Sequence, residues 1–114
     1  MARILVVEDD LDQLSMRREL LEHAGYDVRT AQSASAALPQ LEGCEALLTD
    51  LRIPRLEDGL HLIQAAAAKG ARIIVLSGAQ AERAVPVDEF LKKPCPSRKL
   101  LETIARLCGK PQRS

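Results

Sequence analysis

Ile4-Leu5-Val6-Val7-Glu8-Asp9-Asp10 sets four consecutive apolar residues, three of them β-branched, directly before three consecutive carboxylates. A short, continuously apolar run with sharp ends reads as a strand buried on both faces, the habit of a parallel sheet covered by helices on either side. Working outward, four further runs have the same length: Asp27-Val28-Arg29-Thr30, Ala46-Leu47-Leu48-Thr49, Ile73-Ile74-Val75-Leu76 and Glu89-Phe90-Leu91-Lys92. Between them the periodicity becomes helical. Leu14, Met16, Leu20, Leu21 and Ala24 form a broad apolar stripe over residues 11–24, closed by Gly25 at the C′ position. Residues 60–69 hold the run Ala65 to Ala68 between Asp58, an N-cap, and Gly70, a stop. Leu100, Leu101, Ile104, Leu107 and Cys108 stripe a terminal helix opened by Pro96 and Ser97. Strands alternating with helices predict an α/β domain, a doubly wound sheet of five parallel strands.

Two connections depart from the regular pattern. Residues 34–42 follow Ser33 as a cap, but Pro39 removes an intrahelical bond past the first turn, which predicts a short or kinked helix. Leu76 and Asp88 are separated by eleven residues (77–87), with Pro86 using up one end. That is the lower limit of the roughly 10 to 12 residues a parallel crossover needs, so at most a turn or two of helix is expected there.

Composition narrows the function. The 114 residues, 46% of them hydrophobic, suffice for one domain with its own core and leave no room for an output domain beside it. The start methionine and a tail, 109–114, expected to fray suggest a stand-alone protein. Sixteen Lys and Arg balance sixteen Asp and Glu, so no basic field is available to grip nucleic acid. No stretch approaches the roughly 20 apolar residues of a membrane span and the N-terminus is no signal peptide, so the expected location is the cytosol. Cys44, Cys95 and Cys108 are odd in number and lack a C-x-x-C pair, which predicts reduced, packed thiols rather than disulfides or a zinc site.

In an open parallel sheet ligands collect beyond the carboxyl ends of the strands. Those ends are chemically coherent: Glu8-Asp9-Asp10 after the first strand, Asp50 after the third, Ser77 after the fourth, and Lys93-Pro94 after the fifth. The strand order 2-1-3-4-5 makes strands one, three and four neighbours and gathers these residues at the switch point. Carboxylates about 4 Å apart repel by roughly 4 kcal/mol per pair at an effective dielectric near 20, so the cluster needs a cation or must take up protons. An oxygen-donor set suits Mg²⁺ or Mn²⁺. With charge on a phosphoryl group neutralised by the metal and Lys93, and Ser77 donating a hydrogen bond, Asp50 can act as a nucleophile toward phosphorus. Asp10 is expected to face solvent or cap the first helix. Adjacent strand residues face opposite ways, so of Lys92 and Lys93 only one reaches the acids. His23 and His61 lie on helical patterns away from them.

These motifs resemble the receiver domain of two-component response regulators, from Arg3 to about Leu107. The resemblance implies a flavodoxin-like or CheY-like fold in which Glu8 and Asp9 are the acidic pair around Mg²⁺, Asp9 the more direct ligand. It makes Asp50 the phosphoacceptor, the carbonyl of Arg52 a backbone metal ligand, Ser77 the switch hydroxyl and Lys93 the lysine of the motif. The Lys93-Pro94 bond would then be cis. Phe90 falls where the family places a rotameric switch aromatic; as an ordinary strand phenylalanine it would instead fill core. The loop Pro54-Arg55-Leu56-Glu57-Asp58-Gly59 carries one residue more than the family's usual spacing, and 78–87 is short where the family has its fourth helix, which predicts a readout through that loop and the terminal helix.

The resemblance implies phosphoryl transfer to Asp50 from a sensor histidine kinase or a histidine phosphotransfer protein, followed by altered affinity for a separate downstream protein. The chain, a monomer or weak homodimer, would catalyse nothing beyond its own phosphorylation and slow dephosphorylation. Two other readings compete. The short 78–87 segment fits an interaction module indifferent to phosphorylation. An aspartyl phosphatase of the haloacid-dehalogenase type would need a second aspartate two residues after its nucleophile, where this chain has Arg52.

Overall fold

The computed structural model describes residues 2–53, 55–78 and 86–109. Element order is β1 (Arg3–Val7), α1 (Leu11–His23), β2 (Asp27–Ala31), α2 (Ala34–Ala37), a 3₁₀ turn (Leu38–Gln40), β3 (Ala46–Thr49), α3 (Leu56–Ala68), β4 (Arg72–Ser77), β5 (Glu89–Lys92) and α4 (Ser97–Cys108). All four strand pairings are parallel and the order is β2-β1-β3-β4-β5, as the apolar runs predicted. The expectation for the β4–β5 crossover falls mainly on residues 79–85, outside the described residues; Gly78 before them and Pro86 to Asp88 after them are not helical. Asp88 closes that crossover: its backbone N–H donates to the Ile73 carbonyl at 2.8 Å and its Oδ2 accepts the Ile73 N–H at 2.7 Å.

Alternation along the strands divides the interior into two layers. Leu5, Val7, Leu47, Ile73 and Val75 pack with Leu62, Ile63 and Ala66 of α3 and Ala34 and Ala37 of α2. Ile4, Val6, Leu48, Ile74 and Leu76 pack with Leu14 and Leu21 of α1 and Leu100 and Ile104 of α4. Ser33 caps α2 through the Ala36 N–H at 3.2 Å, and Pro39 sits in the 3₁₀ turn that ends it, the short helix expected.

Three expectations need correction. Helix α3 begins at Leu56, so Asp58 lies inside its first turn, where Oδ2 accepts the Arg55 N–H at 3.2 Å. Met16 is 60% exposed, because Arg17 and not Met16 occupies the inner face of α1 between Leu14 and Leu21. Phe90 does not fill core: on edge strand β5 it is 40% exposed.

Candidate functional site

Parallel register builds the site. Val7 pairs with Thr49 and Thr49 with Val75, so Glu8 and Asp50 each lie one residue past the paired ends of adjacent strands. Ser77 pairs with Lys92, and the Lys93 N–H donates to the Ser77 carbonyl at 2.9 Å, which carries the β4–β5 ladder one residue further and seats Lys93 over the acids. Lys92 is exposed and Lys93 half-buried, as pleating requires. The Lys93-Pro94 bond is cis.

Lys93 Nζ lies 2.9 Å from Asp50 Oδ2 and 3.2 Å from Glu8 Oε1, so the ammonium bridges two carboxylates that the sequence holds more than forty residues apart. Burial works against the ammonium, but Asp50 and then Glu8 outweigh it and lift the Lys93 pKa above the ordinary lysine value. The other Asp50 oxygen, Oδ1, accepts the backbone N–H groups of Leu51 at 2.6 Å and Arg52 at 3.3 Å. The Thr49 hydroxyl donates to the Asp50 carbonyl at 2.8 Å. Backbone on one side and lysine on the other fix the orientation of the carboxylate.

Glu8 is only 1% exposed and is engaged at both oxygens. Oε2 accepts the Asp9 N–H at 3.0 Å, while Oε1 is shared between Lys93 and Arg17 Nη1, the latter at 2.9 Å. Arg17 Nη2 donates in turn to Gln13 Oε1 at 2.7 Å. Arg17 and Gln13 were not singled out from sequence. The readable signal was a charged residue three after Leu14 and four before Leu21, on the helix face those leucines bury.

Asp9 faces solvent beside this group. Partial burial, and then the carboxylates of Glu8 and Asp50, push its pKa above the usual aspartate value. Excess negative charge at an exposed carboxylate is what a divalent cation relieves; of the donors expected, Glu8 has both oxygens engaged, while Asp9, Asp50 and the Arg52 carbonyl are hard oxygens that would suit Mg²⁺ retaining several waters. Among the described residues no three His, Cys, Asp or Glu side chains are grouped so that they alone could hold a metal ion. Asp10 belongs to the helix: its Oδ1 accepts the N–H groups of Asp12 at 2.9 Å and Gln13 at 3.2 Å, capping α1. Ser77 is buried at the end of β4. His23 and His61 are exposed on α1 and α3. The three cysteines are free and half-buried. No described helix is long and apolar enough to cross a membrane.

Comparison with known proteins gives the same architecture. The receiver domain of response regulators matches residues 4–105. Among curated proteins the transcriptional regulatory protein CpxR of Escherichia coli K12 is 29% identical over 112 residues, 91% of this chain and 48% of the relative. A CpxR homolog of Haemophilus influenzae is also 29% identical, over 91% of this chain and 49% of its own length. The chain thus spans about half the length of the curated relatives it matches. A CheY-like receiver domain from Methanospirillum hungatei superposes with a TM-score of 0.85 at 28% identity, covering 93% of this chain and 92% of that one. The response regulator TrrA of Thermotoga maritima, solved with Mg²⁺ and BeF, superposes at 0.81 with 27% identity over 94% of this chain and 99% of that one. With most of its length matched, this chain belongs to the response regulator receiver domain family.

Proposed function

We propose that the protein is a phosphoacceptor switch in which Asp50 takes a phosphoryl group from a histidine kinase or histidine phosphotransfer protein and thereby changes its affinity for a separate partner. The observation that carries this reading is the Lys93 ammonium 2.9 Å from Asp50 Oδ2, at a strand end beside Glu8 and Asp9. One Asp50 oxygen bonds to phosphorus as the P–N bond of a phosphohistidine breaks, and the departing nitrogen keeps the electron pair and takes up a proton. Lys93, released from the oxygen that becomes esterified, can follow the charge onto the phosphoryl oxygens; Ser77 is the hydroxyl expected to do the same. A divalent cation held by Asp9, Asp50 and the Arg52 carbonyl would neutralise further phosphoryl charge. Beyond its own phosphorylation and slow hydrolysis of the acyl phosphate, the protein carries out no catalysis on this reading.

Intact mass after incubation with Mg²⁺ and phosphoramidate tests it. The expected result is a gain of one phosphoryl group that requires Mg²⁺ and is abolished in Asp50→Asn. A folded wild-type protein that gains no mass would overturn the reading in favour of an interaction module indifferent to phosphorylation, the alternative that the short β4–β5 crossover favours.

A further inference from the structure

Arg17 is the only charged residue of α1 that is buried, and its guanidinium is directed at the functional site. Removing one partner of a buried ion pair leaves the other charge uncompensated, so the partners of a buried arginine indicate what its charge does. Here they are Glu8 Oε1 at 2.9 Å and Gln13 Oε1 at 2.7 Å. Glu8 Oε1 is the same atom that holds Lys93 at 3.2 Å. Two cations therefore share one carboxylate oxygen. Arg17 makes the shorter contact with Glu8, while Lys93 lies nearer Asp50, at 2.9 Å, than Glu8.

Resting on the phosphoacceptor reading above, we propose that Arg17 is a positioning residue for Lys93: by neutralising Glu8 it prevents that carboxylate from capturing the lysine and keeps the ammonium on Asp50, available to the incoming phosphoryl group. Without the guanidinium, Lys93 is, among the described residues, the only cation left on a buried Glu8, and a buried carboxylate attracts a counter-ion strongly because so little water screens it. Lys93 then withdraws from Asp50. The same loss removes one positive charge from a site where, among the described residues, Arg17 and Lys93 are the cations paired with Glu8 and Asp50, leaving it more negative. Phosphorylation and cation binding should therefore respond in opposite directions, which a general loosening of α1 would not produce.

The test compares the wild-type protein with Arg17→Met, Arg17→Gln and Arg17→Lys. In Arg17→Met a metal-free crystal structure should show Lys93 Nζ moved off Asp50 and onto Glu8. Phosphorylation by phosphoramidate at saturating Mg²⁺, read by intact mass, should slow by about tenfold or more, the scale of losing an aligned charge donor. Calorimetric titration with Mg²⁺ alone should show binding at least about threefold tighter. Arg17→Gln, which keeps a hydrogen-bond donor without the charge, should behave like Arg17→Met and stands in if that variant does not fold. Arg17→Lys should stay within about threefold of the wild-type rate. Unchanged rates in the Met and Gln variants, weaker Mg²⁺ binding, or a lysine variant as slow as the uncharged ones would each overturn the role assigned to Arg17. Absence of wild-type labelling bears on the phosphoacceptor reading alone, because the metal-free Lys93 position and the Mg²⁺ affinity are measured independently of it.

Discussion

Asp9 and Lys93 sit within one charge cluster yet respond to it with opposite consequences for stability. The Asp9 pKa is raised in the folded protein, so folding favours its protonated form; the penalty is absent below the ordinary value of 3.8 and sets in as the pH rises through the higher folded value. Asp9→Asn should therefore stabilise the metal-free protein at pH 7, by less than about 1 kcal/mol because the side chain faces solvent, and give no gain at pH 3. Urea denaturation at the two pH values checks this, and the same variant should lose any stabilisation by added Mg²⁺. The Lys93 pKa is also raised, but for a cation this favours the charged form. Its pairing with Asp50 and Glu8 contributes fully below the ordinary value of 10.5 and is lost as the pH climbs through the folded value. Stability measured in alkaline buffers should fall in that range, and a Lys93→Met variant should lack that part of the fall.

At the scale of elements, the loop after Asp50 is set by its contact with α3. A Cβ placed on Gly59, in the first turn of that helix, would lie 1.8 Å from the Leu51 carbonyl oxygen. That oxygen belongs to backbone whose N–H groups orient Asp50, so helix and phosphoacceptor loop cannot separate without moving the site. Gly59→Ala should cost about 2–3 kcal/mol by denaturant unfolding and also slow phosphorylation, since overpacking here shifts backbone rather than a flexible side chain. This contact explains why the start of α3 was misread. Leu56-Glu57-Asp58-Gly59 reads as loop and cap because glycine weakens helical propensity, and only the approach to Leu51 shows why glycine stands in a helix. The strands were legible because apolar runs report burial directly, and Asp50, Ser77 and Lys93 because they end those runs. Arg17 was not, since a stripe of leucines conceals a charged residue whose partner is encoded nine positions away, just past the end of β1. Phe90 shows the same limit: an edge strand leaves exposed a ring that a central strand would bury.

Across the molecule, one sheet serves as the shared wall of two cores, and this makes a prediction about cooperativity. Ile63 of α3 packs on one face and Ile104 of α4 on the other, both fully buried, while the strands between them send alternate residues to each side. Truncating either to alanine removes three methyl-equivalents from a packed layer and should cost about 2–5 kcal/mol, depending on how far the neighbours collapse. Were the layers independent, Ile63→Ala would melt α2 and α3 first and leave α1 and α4 on an intact sheet. They are not, because Leu47 and Leu48 are adjacent residues of one strand, so disorder in the layer beneath Leu47 frees the backbone that holds Leu48. Calorimetry should therefore show a single transition for both variants, displaced downward by roughly 4 °C per kcal/mol. Asp50 follows that strand directly, one residue beyond Thr49, so either truncation should lower the population competent for phosphorylation only as far as it lowers the folded population. A second calorimetric transition, or labelling lost well below the melting temperature, would show that one layer can fail while the other holds.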